Sequence, residues 1–221
     1  VLNAILGSLY LALGATLLSF VAGLPIALYI NIFRRRKSRF AAGVRLCLDI
    51  LWGVPSIVYG AFGFTIMIFL GIKASLLMGT CIVALLVLPV VVRSIDEIIQ
   101  LIPEGLLEAS YSLGATRTQT AFRIVVRQIL PGVVTALLVA FGRAIGDAAA
   151  VLFTAGYTDR IPKSPFRAVA TLPLAVFFQL SSPIPEVQER AYASALILTV
   201  IILLVSVLAR IISRRVSRYK I

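Results

Sequence analysis

The sequence predicts an all-α integral membrane protein with five transmembrane helices, on three observations. Hydrophobic residues make up 60 % of its 221 residues and charged residues only 14 %, whereas soluble domains carry about 25 % charge. Its mean hydropathy is +1.04. Five stretches reach the roughly 20 apolar residues that a helix needs to cross a bilayer. They cover residues 2–33, 44–72, 74–92, 131–155 and 191–212.

Basic residues predict how these spans are oriented. Lys and Arg number 21 against nine Asp and Glu, and they concentrate in two clusters, residues 34–40 and 214–220. If both clusters face the cytoplasm, alternation places residues 93–130 there as well. Fifteen basic residues then lie inside, five outside and Arg143 within a span, which follows the positive-inside rule and makes the C-terminus cytoplasmic. Because these residues lie between apolar runs, they indicate contact with anionic membrane lipid and not with nucleic acid.

Two parts of the chain lie outside the five spans. This topology places Val1 outside, although the chain starts without Met and has no signal-peptide n-region. We therefore expect a preceding span, six spans in the intact protein and both termini in the cytoplasm. The outer loop, about residues 157–190, contains an apolar stretch at 168–180 that is too short to cross a bilayer. We expect a short helix there, re-entrant or lying on the membrane surface.

The composition also excludes several kinds of chemistry. The chain has no His, which excludes metal ligation, general base catalysis and proton relays that depend on His. It lacks the Gly-rich Lys-Ser/Thr loop that binds nucleotide phosphates. An integral-membrane enzyme would need acids, nucleophiles or metal ligands clustered at one depth, but only one acid, Asp147, lies deep in a predicted span. We expect no catalytic residue, metal or cofactor.

The segment between the third and fourth spans predicts two short helices joined by a glycine hinge. Pro103 suits a first helical position, Glu104 favours the positive end of a helix, and Gly114 can supply a left-handed stop about three turns later. Residues 103–113 are therefore predicted to form the first helix. The apolar residues of the second helix share one stripe: Phe122, Val125, Val126 and Ile129. Such a pattern is equally typical of an amphipathic connector that only binds lipid headgroups.

The same segment resembles the EAA loop of ABC-transporter permease subunits. In that loop, Glu-Ala-Ala is followed after three residues by Gly, and after nine more by an aliphatic residue. Those places are taken here by Glu108, Ala109, Ser110, Gly114 and Ile124. The resemblance implies a type I ABC importer permease fold, formed by residues 1–221 as a single transmembrane domain. It also implies a coupling loop, about residues 96–130, whose short helix docks in a groove of an ATPase subunit.

Two details of this loop differ from the family pattern. Ser110 replaces the second Ala, and a small residue there would allow close approach to a partner surface. The family commonly has Leu-Pro shortly after the aliphatic position, where this chain has Val126 and Arg127. The second helix is therefore expected to run on unbroken.

Three further stretches resemble the phosphate-uptake, PstA-type branch of these permeases. They read GVPSIVYGAFG at 53–63, LPVVVRSIDEII at 88–99 and GRAIGDAAAVLFTAG at 142–156. The resemblance implies inorganic phosphate as substrate and a prokaryotic plasma membrane as location. It implies as partners a second permease subunit, two ATP-binding cassette subunits and an extracytoplasmic phosphate-binding protein that docks on the outer loop. The family commonly has Glu where this chain has Asp147.

Arg143 and Asp147 are the most informative residues for a substrate pathway. A charge near the middle of a span costs about 2.5–3.5 kcal/mol on insertion scales, so Arg143 must face protein or water. Asp147 follows four residues later, so the two side chains are expected to pair across one turn. The pair either locks the span against a neighbour or serves transport. In transport, the cation offsets the dehydration of phosphate and the carboxylate prevents too tight a hold.

Three other residues are candidates for the same pathway. Pro55 removes a backbone donor, so the helix is expected to kink or unwind there and expose polar backbone. The Ser56 hydroxyl can donate to an oxyanion or bond back to its own helix. Arg93, at the inner end of the third span, lines the exit or anchors at headgroups.

Two other functions fit parts of the sequence. A permease for another tetrahedral oxyanion, sulfate or molybdate, would share the EAA loop but resemble residues 53–63 less. A passive anion channel would explain Arg143 but would leave the EAA loop without a purpose.

Overall fold

The computed structural model describes residues 1–34 and 38–217, with side chains described as far as Ile212, and the regular structure of these residues is helical. Parts of both basic clusters, residues 35–37 and 218–221, lie outside the described residues. The cytoplasmic C-terminus therefore stays a prediction. The helices are α1 (Leu2–Leu28, continued by a π-helical turn at Tyr29–Phe33), α2 (Arg39–Gly53), α3 (Ser56–Leu70), α4 (Leu76–Gln100), α5 (Glu104–Ser112), α6 (Arg117–Gln119, continued by a π-helical turn at Thr120–Val125), α7 (Val126–Gly146), α8 (Leu172–Leu180) and α9 (Pro185–Ser217).

Four helical runs within the described residues are long and apolar enough to cross a membrane. They are Leu2–Phe33, Leu76–Gln100, Arg117–Gly146 and Pro185–Ile212. A fifth crossing requires α2 and α3 together, and these two helices meet at an angle of 97°. The all-α membrane fold is therefore confirmed, with four spans, or five if the bent pair crosses as one.

The second predicted span is broken at a proline. α2 ends at Gly53, and both Val54 (φ −70°, ψ 128°) and Pro55 (φ −59°, ψ 140°) have extended backbone before α3 begins at Ser56. A proline ring clashes with a helical conformation in the residue before it, which pushes that residue to extended backbone. The expected interruption at Pro55 is confirmed, but it separates two helices and does not merely kink one.

The fourth predicted span has the wrong limits. The helix begins at Arg117 and ends at Gly146, residues 147 and 148 have no regular structure, and residues 149–155 form turns. This stretch is rich in Ala because it is buried: Ala150, Val151 and Ala155 are fully enclosed. A buried turn and a buried helix have similar composition, so hydropathy alone could not separate them.

The centre of the bundle is α1 packed along α4, with α7 beside both. Small residues let the first two helices approach closely: a methyl group on Gly23 of α1 would lie 3.1 Å from the Val92 side chain of α4. Ser19 adds a polar contact, since its hydroxyl lies 2.7 Å from the carbonyl oxygen of Ala84. Such small-residue contacts and interhelical hydrogen bonds are typical of helix association in membranes.

The outer loop contains the expected short helix, α8. Its first turn is buried against α1, where the Leu172 N–H donates to the Ser8 hydroxyl at 2.7 Å. Leu172 and Leu174 are fully enclosed, whereas Phe177 and Leu180 are exposed. α8 therefore enters the bundle at its N-terminal end and does not simply lie on its surface.

Candidate functional site

The last turn of α7 carries Arg143, whose side chain is partly exposed. The helix ends three residues later at Gly146, so Asp147 has extended backbone (φ −80°, ψ 123°). Its Oδ2 atom accepts a hydrogen bond from the Ala150 N–H at 2.7 Å. Among the described residues, no carboxylate oxygen lies within 4.0 Å of Arg143. The predicted one-turn ion pair is therefore wrong, because the helix stops before Asp147 and the carboxylate caps the following turn.

α3, which follows the helix break, packs on the turn after α7. A methyl group built on Gly60 would stand 2.7 Å from the Ala149 carbonyl oxygen, and one on Gly63 would stand 2.9 Å from the Thr154 side chain. The structure thus brings together two of the three stretches that carry the resemblance to phosphate permeases, 53–63 and 142–156.

Tyr59 links this contact to Arg143. Its side chain is 8 % exposed, and its hydroxyl donates to the Leu51 carbonyl oxygen of α2 at 2.8 Å. The Arg143 guanidinium is close enough to interact with Tyr59 electrostatically. Tyr59 therefore ties α3 to α2 within electrostatic range of Arg143 on α7.

Pro55 and Ser56 lie at the helix break itself. Pro55 is exposed, and Ser56 is half-buried as the first residue of α3. Within the described part of the chain, the Ser56 hydroxyl makes no hydrogen bond. The bond back to its own helix that the sequence left open is not formed, so this hydroxyl keeps its capacity to donate to a ligand.

Arg93 lies elsewhere, near the C-terminal end of α4. Its guanidinium is 3.0 Å from an Asp49 carboxylate oxygen, 3.6 Å from Asp96 and 4.0 Å from Glu97. Its charge is therefore balanced by protein carboxylates, and the structure does not bring it together with Arg143.

Asp96 is the centre of a polar network that the sequence analysis missed. Its side chain is 0 % exposed. It accepts hydrogen bonds from Asn31 of α1 at 2.7 Å, from Arg45 of α2 at 2.8 and 2.9 Å, and from Gln100 at 2.9 Å. Two features of the sequence could have indicated this network. Asp96 follows Arg93 by three residues, and Asn31 lies near the end of an apolar span.

The coupling segment has the expected first helix and left-handed stop. α5 begins one residue after Pro103, and Gly114 has φ +81°. Glu108 and Ala109 are exposed and are free to meet a partner. Ser110 does not lie on that surface: it is buried.

Ser110 instead fixes the position of α5 within the chain. Its hydroxyl lies 2.9 Å from that of Thr120, which is fully buried. The small residue at position 110 therefore allows α5 to pack on the following π-helical turn, and the expected close approach to another subunit does not apply to this side chain.

The second helix of the segment runs unbroken from Arg117 to Gly146, as expected. Its buried stripe is shifted from the predicted one. Ala121, Val125 and Ile129 are fully buried, whereas Phe122 is 60 % exposed. These three buried residues repeat every four positions, so they lie on one face of the helix, and that face excludes Phe122.

A cavity of about 1320 Å³ separates α5 from the ends of α1 and α2. Its lining includes residues of the Asp96 network and of α5: Asn31, Arg45, Gln100, Glu104, Glu108 and Tyr111. Arg117 closes one side by donating to the Phe33 carbonyl oxygen at 2.9 Å. The cavity therefore lies between α5 and the buried network.

Comparison with known proteins gives consistent matches. A family model described as "Binding-protein-dependent transport system inner membrane component" matches residues 19–218. The chain is 35 % identical over 210 residues to the phosphate transport system permease protein PstA of Yersinia pestis, covering 95 % of this chain and 71 % of that protein. It is 34 % identical over 214 residues to PstA 1 of Mycobacterium tuberculosis (96 % and 70 %). It is 37 % identical over 213 residues to PstA of Xylella fastidiosa (94 % and 72 %).

Solved structures give a match in fold. The chain superposes on a chain of the inward-facing MetNI methionine ABC transporter with a TM-score of 0.76 and 19 % identity, covering 97 % of this chain and 95 % of that one. This likeness confirms the predicted ABC importer permease fold.

Proposed function

We propose a function for this chain from its family, because it belongs to the binding-protein-dependent transport system inner membrane components. It is the permease subunit of an ATP-driven phosphate importer. One observation carries the substrate assignment. Arg143, a cation without a carboxylate partner among the described residues, lies in the last turn of α7, next to the turn on which α3 packs.

The pathway part of the proposal rests on the cost of moving phosphate through a membrane. A dehydrated anion needs a positive charge and hydrogen-bond donors within reach. Arg143 supplies the charge, and the Ser56 hydroxyl is a second donor at the exposed break beside Pro55. Asp147 shapes the turn that follows Arg143. The positive charge of Arg93 neutralises nearby carboxylates towards the C-terminal end of α4. There, Arg93 lines the exit of the phosphate pathway.

Coupling to ATP is assigned to the loop at residues 96–130. Glu108 and Ala109 of α5 are exposed and form the contact with an ATPase subunit, while Ser110 and Gly114 hold α5 in place. This chain performs no hydrolysis; two ATP-binding cassette subunits do so. Their closing and reopening alternates the access of the pathway.

The proposal also assigns the remaining partners. α9 buries only 6 % of its apolar window inside the chain, so its outer face contacts membrane lipid or a second permease subunit, which completes the route. An extracytoplasmic phosphate-binding protein docks on the outer loop at residues 157–190. The protein is a multi-pass component of a prokaryotic plasma membrane with its C-terminus in the cytoplasm.

The test is radiolabelled phosphate accumulation in proteoliposomes that contain the full complex, the binding protein and internal ATP. The proposal predicts accumulation that requires ATP and is unaffected by a large excess of sulfate or molybdate. Competition by either oxyanion would reassign the substrate within the permease class. Anion current without ATP, measured in planar bilayers, would instead favour a passive channel.

A further inference from the structure

We propose that the buried Asp96 carboxylate is a positioning residue that anchors α2 and thereby fixes the helix break at the end of α2. The inference rests on the proposed function, since it assigns Asp96 a part in coupling phosphate movement to ATP. Asp96 itself is fully buried in the network, so its role is to hold another element and not to touch substrate.

The hydrogen bonds of the network connect three helices through the Asp96 carboxylate. Both oxygens of Asp96 are used: Oδ1 accepts from Asn31 and Arg45, and Oδ2 accepts from Arg45 and Gln100. Arg45 thus grips the carboxylate with two nitrogens, Nε and Nη2. Such bidentate arginine–carboxylate pairs fix the orientation of the two side chains as well as the distance between them. α1, α2 and α4 are therefore held in one relative arrangement.

The energetics favour a positioning role over a simple stabilising one. A buried ion pair is weak evidence for stability, because desolvation offsets much of the attraction, whereas removal of one partner leaves a costly uncompensated charge. The Arg45 side chain is 19 % exposed and lines the cavity beside α5. Without the Asp96 charge, Arg45 gains hydration by moving into that cavity, and α2 moves with it.

α2 carries the effect of such a movement to the substrate side. From Arg45 to Gly53 the helix advances about 12 Å at 1.5 Å per residue. Near its far end, the Leu51 carbonyl accepts the Tyr59 hydrogen bond beside Arg143. Midway along α2, Arg45 lines the same cavity as Glu108 of α5. α2 therefore joins the coupling side of the chain to the helix break.

The main experiment measures phosphate transported per ATP hydrolysed by the assembled complex in proteoliposomes. Asp96→Asn removes the charge but keeps the size, and it is expected to lower this ratio about tenfold, because α2 loses its anchor. Glu97→Gln is the matched control, because it removes the neighbouring carboxylate, which is 67 % exposed. The control is expected to keep the ratio of the unmodified chain.

A milder variant keeps the inference testable if Asp96→Asn fails to assemble. Arg45→Lys retains the positive charge but cannot make the bidentate hydrogen bonds to Asp96. The variant is therefore expected to assemble and to lower the ratio of phosphate to ATP by a smaller factor. A ratio unchanged in Arg45→Lys, or in an assembled Asp96→Asn complex, overturns the inference.

A spin label on Cys47 tests the anchor without measuring transport. Cys47 is exposed on α2, two residues after Arg45, and Cys81→Ser removes the other cysteine. Asp96→Asn is expected to increase the label's mobility in the assembled complex, and Glu97→Gln is not. Unchanged mobility overturns the inference. If the unmodified complex accumulates no phosphate, the proposed function fails, and the label still decides whether Asp96 holds α2.

Discussion

Gly60 of α3 lies directly against the backbone of Ala149, and a methyl group at Gly60 would stand 2.7 Å from that carbonyl oxygen. The two residues are 89 positions apart and belong to the two stretches that most resemble phosphate permeases. Only a residue without a side chain permits this approach. The junction beside Arg143 therefore depends on close backbone contact as well as on charge.

Gly60→Ala is expected to separate α3 from the turn after α7. The added carbon meets backbone, which cannot rotate away, so overpacking should cost about 1–3 kcal/mol. Thermal unfolding of the purified chain and phosphate uptake should both decline. Gly43→Ala is the control, since nothing lies within 4 Å of its added carbon. Equal behaviour of the two variants would contradict the contact.

Gly114→Ala is expected to impair coupling through the backbone alone. Gly114 has φ +81° and open space around it, so the variant introduces strain of about 1–2 kcal/mol without a clash. Gly105→Ala in α5, the helix that Gly114 terminates, also meets open space but has no positive φ, and it should retain uptake. Gly114→Asn should recover part of the loss, because Asn tolerates this conformation. Phosphate-stimulated ATP hydrolysis by the assembled complex is the measurement, and equal rates in both alanine variants would refute this account.

The hydroxyl pair of Ser110 and Thr120 predicts a non-additive effect on stability. Ser110→Ala leaves the fully buried Thr120 hydroxyl without its partner, which should cost about 1–3 kcal/mol. Adding Thr120→Val removes the unpaired group and should recover much of the loss. Thermal unfolding of the purified chain measures both. A double variant as unstable as the sum of the singles would show that the hydroxyls act independently.

Asp147 is expected to act through the turn it caps. Asp147→Asn keeps an oxygen for the Ala150 N–H and should retain most of the uptake rate, whereas Asp147→Ala loses that bond and should lower the rate severalfold. Uptake under identical ATP loading compares the two variants. If the uptake rates of both variants fall equally, the negative charge of Asp147 itself is needed, as the ion-pair hypothesis from the sequence would require.

Much of the fold was predictable because long apolar runs and helix stops are local signals. The first span and the α5 helix with its stop at Gly114 follow from hydropathy and from glycine's freedom to adopt positive φ. The end of α7 at Gly146 was not predictable, because small apolar residues suit a buried turn as well as a helix. The pair expected between Arg143 and Asp147 failed for the same reason.

The candidate site was predictable in part. The motif stretches identified Arg143, Pro55 and Ser56, but the packing of α3 on the turn after α7 through Gly60 is a tertiary contact that no local pattern encodes. The Asp96 network was missed because its partners come from three helices, and its central residue looks in sequence like one more charge near a span end.

The most direct test of the central claim is ATP-driven accumulation of radiolabelled phosphate by the full complex carrying Arg143→Gln. The matched control is Arg210→Gln, which removes an exposed arginine of α9. Loss of the Arg143 charge should abolish accumulation while assembly with the ATPase subunits and the accumulation of the control persist, because the dehydrated anion then has no cation at the junction. Accumulation by Arg143→Gln at the rate of the unmodified chain would contradict the account and place the phosphate pathway elsewhere in the bundle.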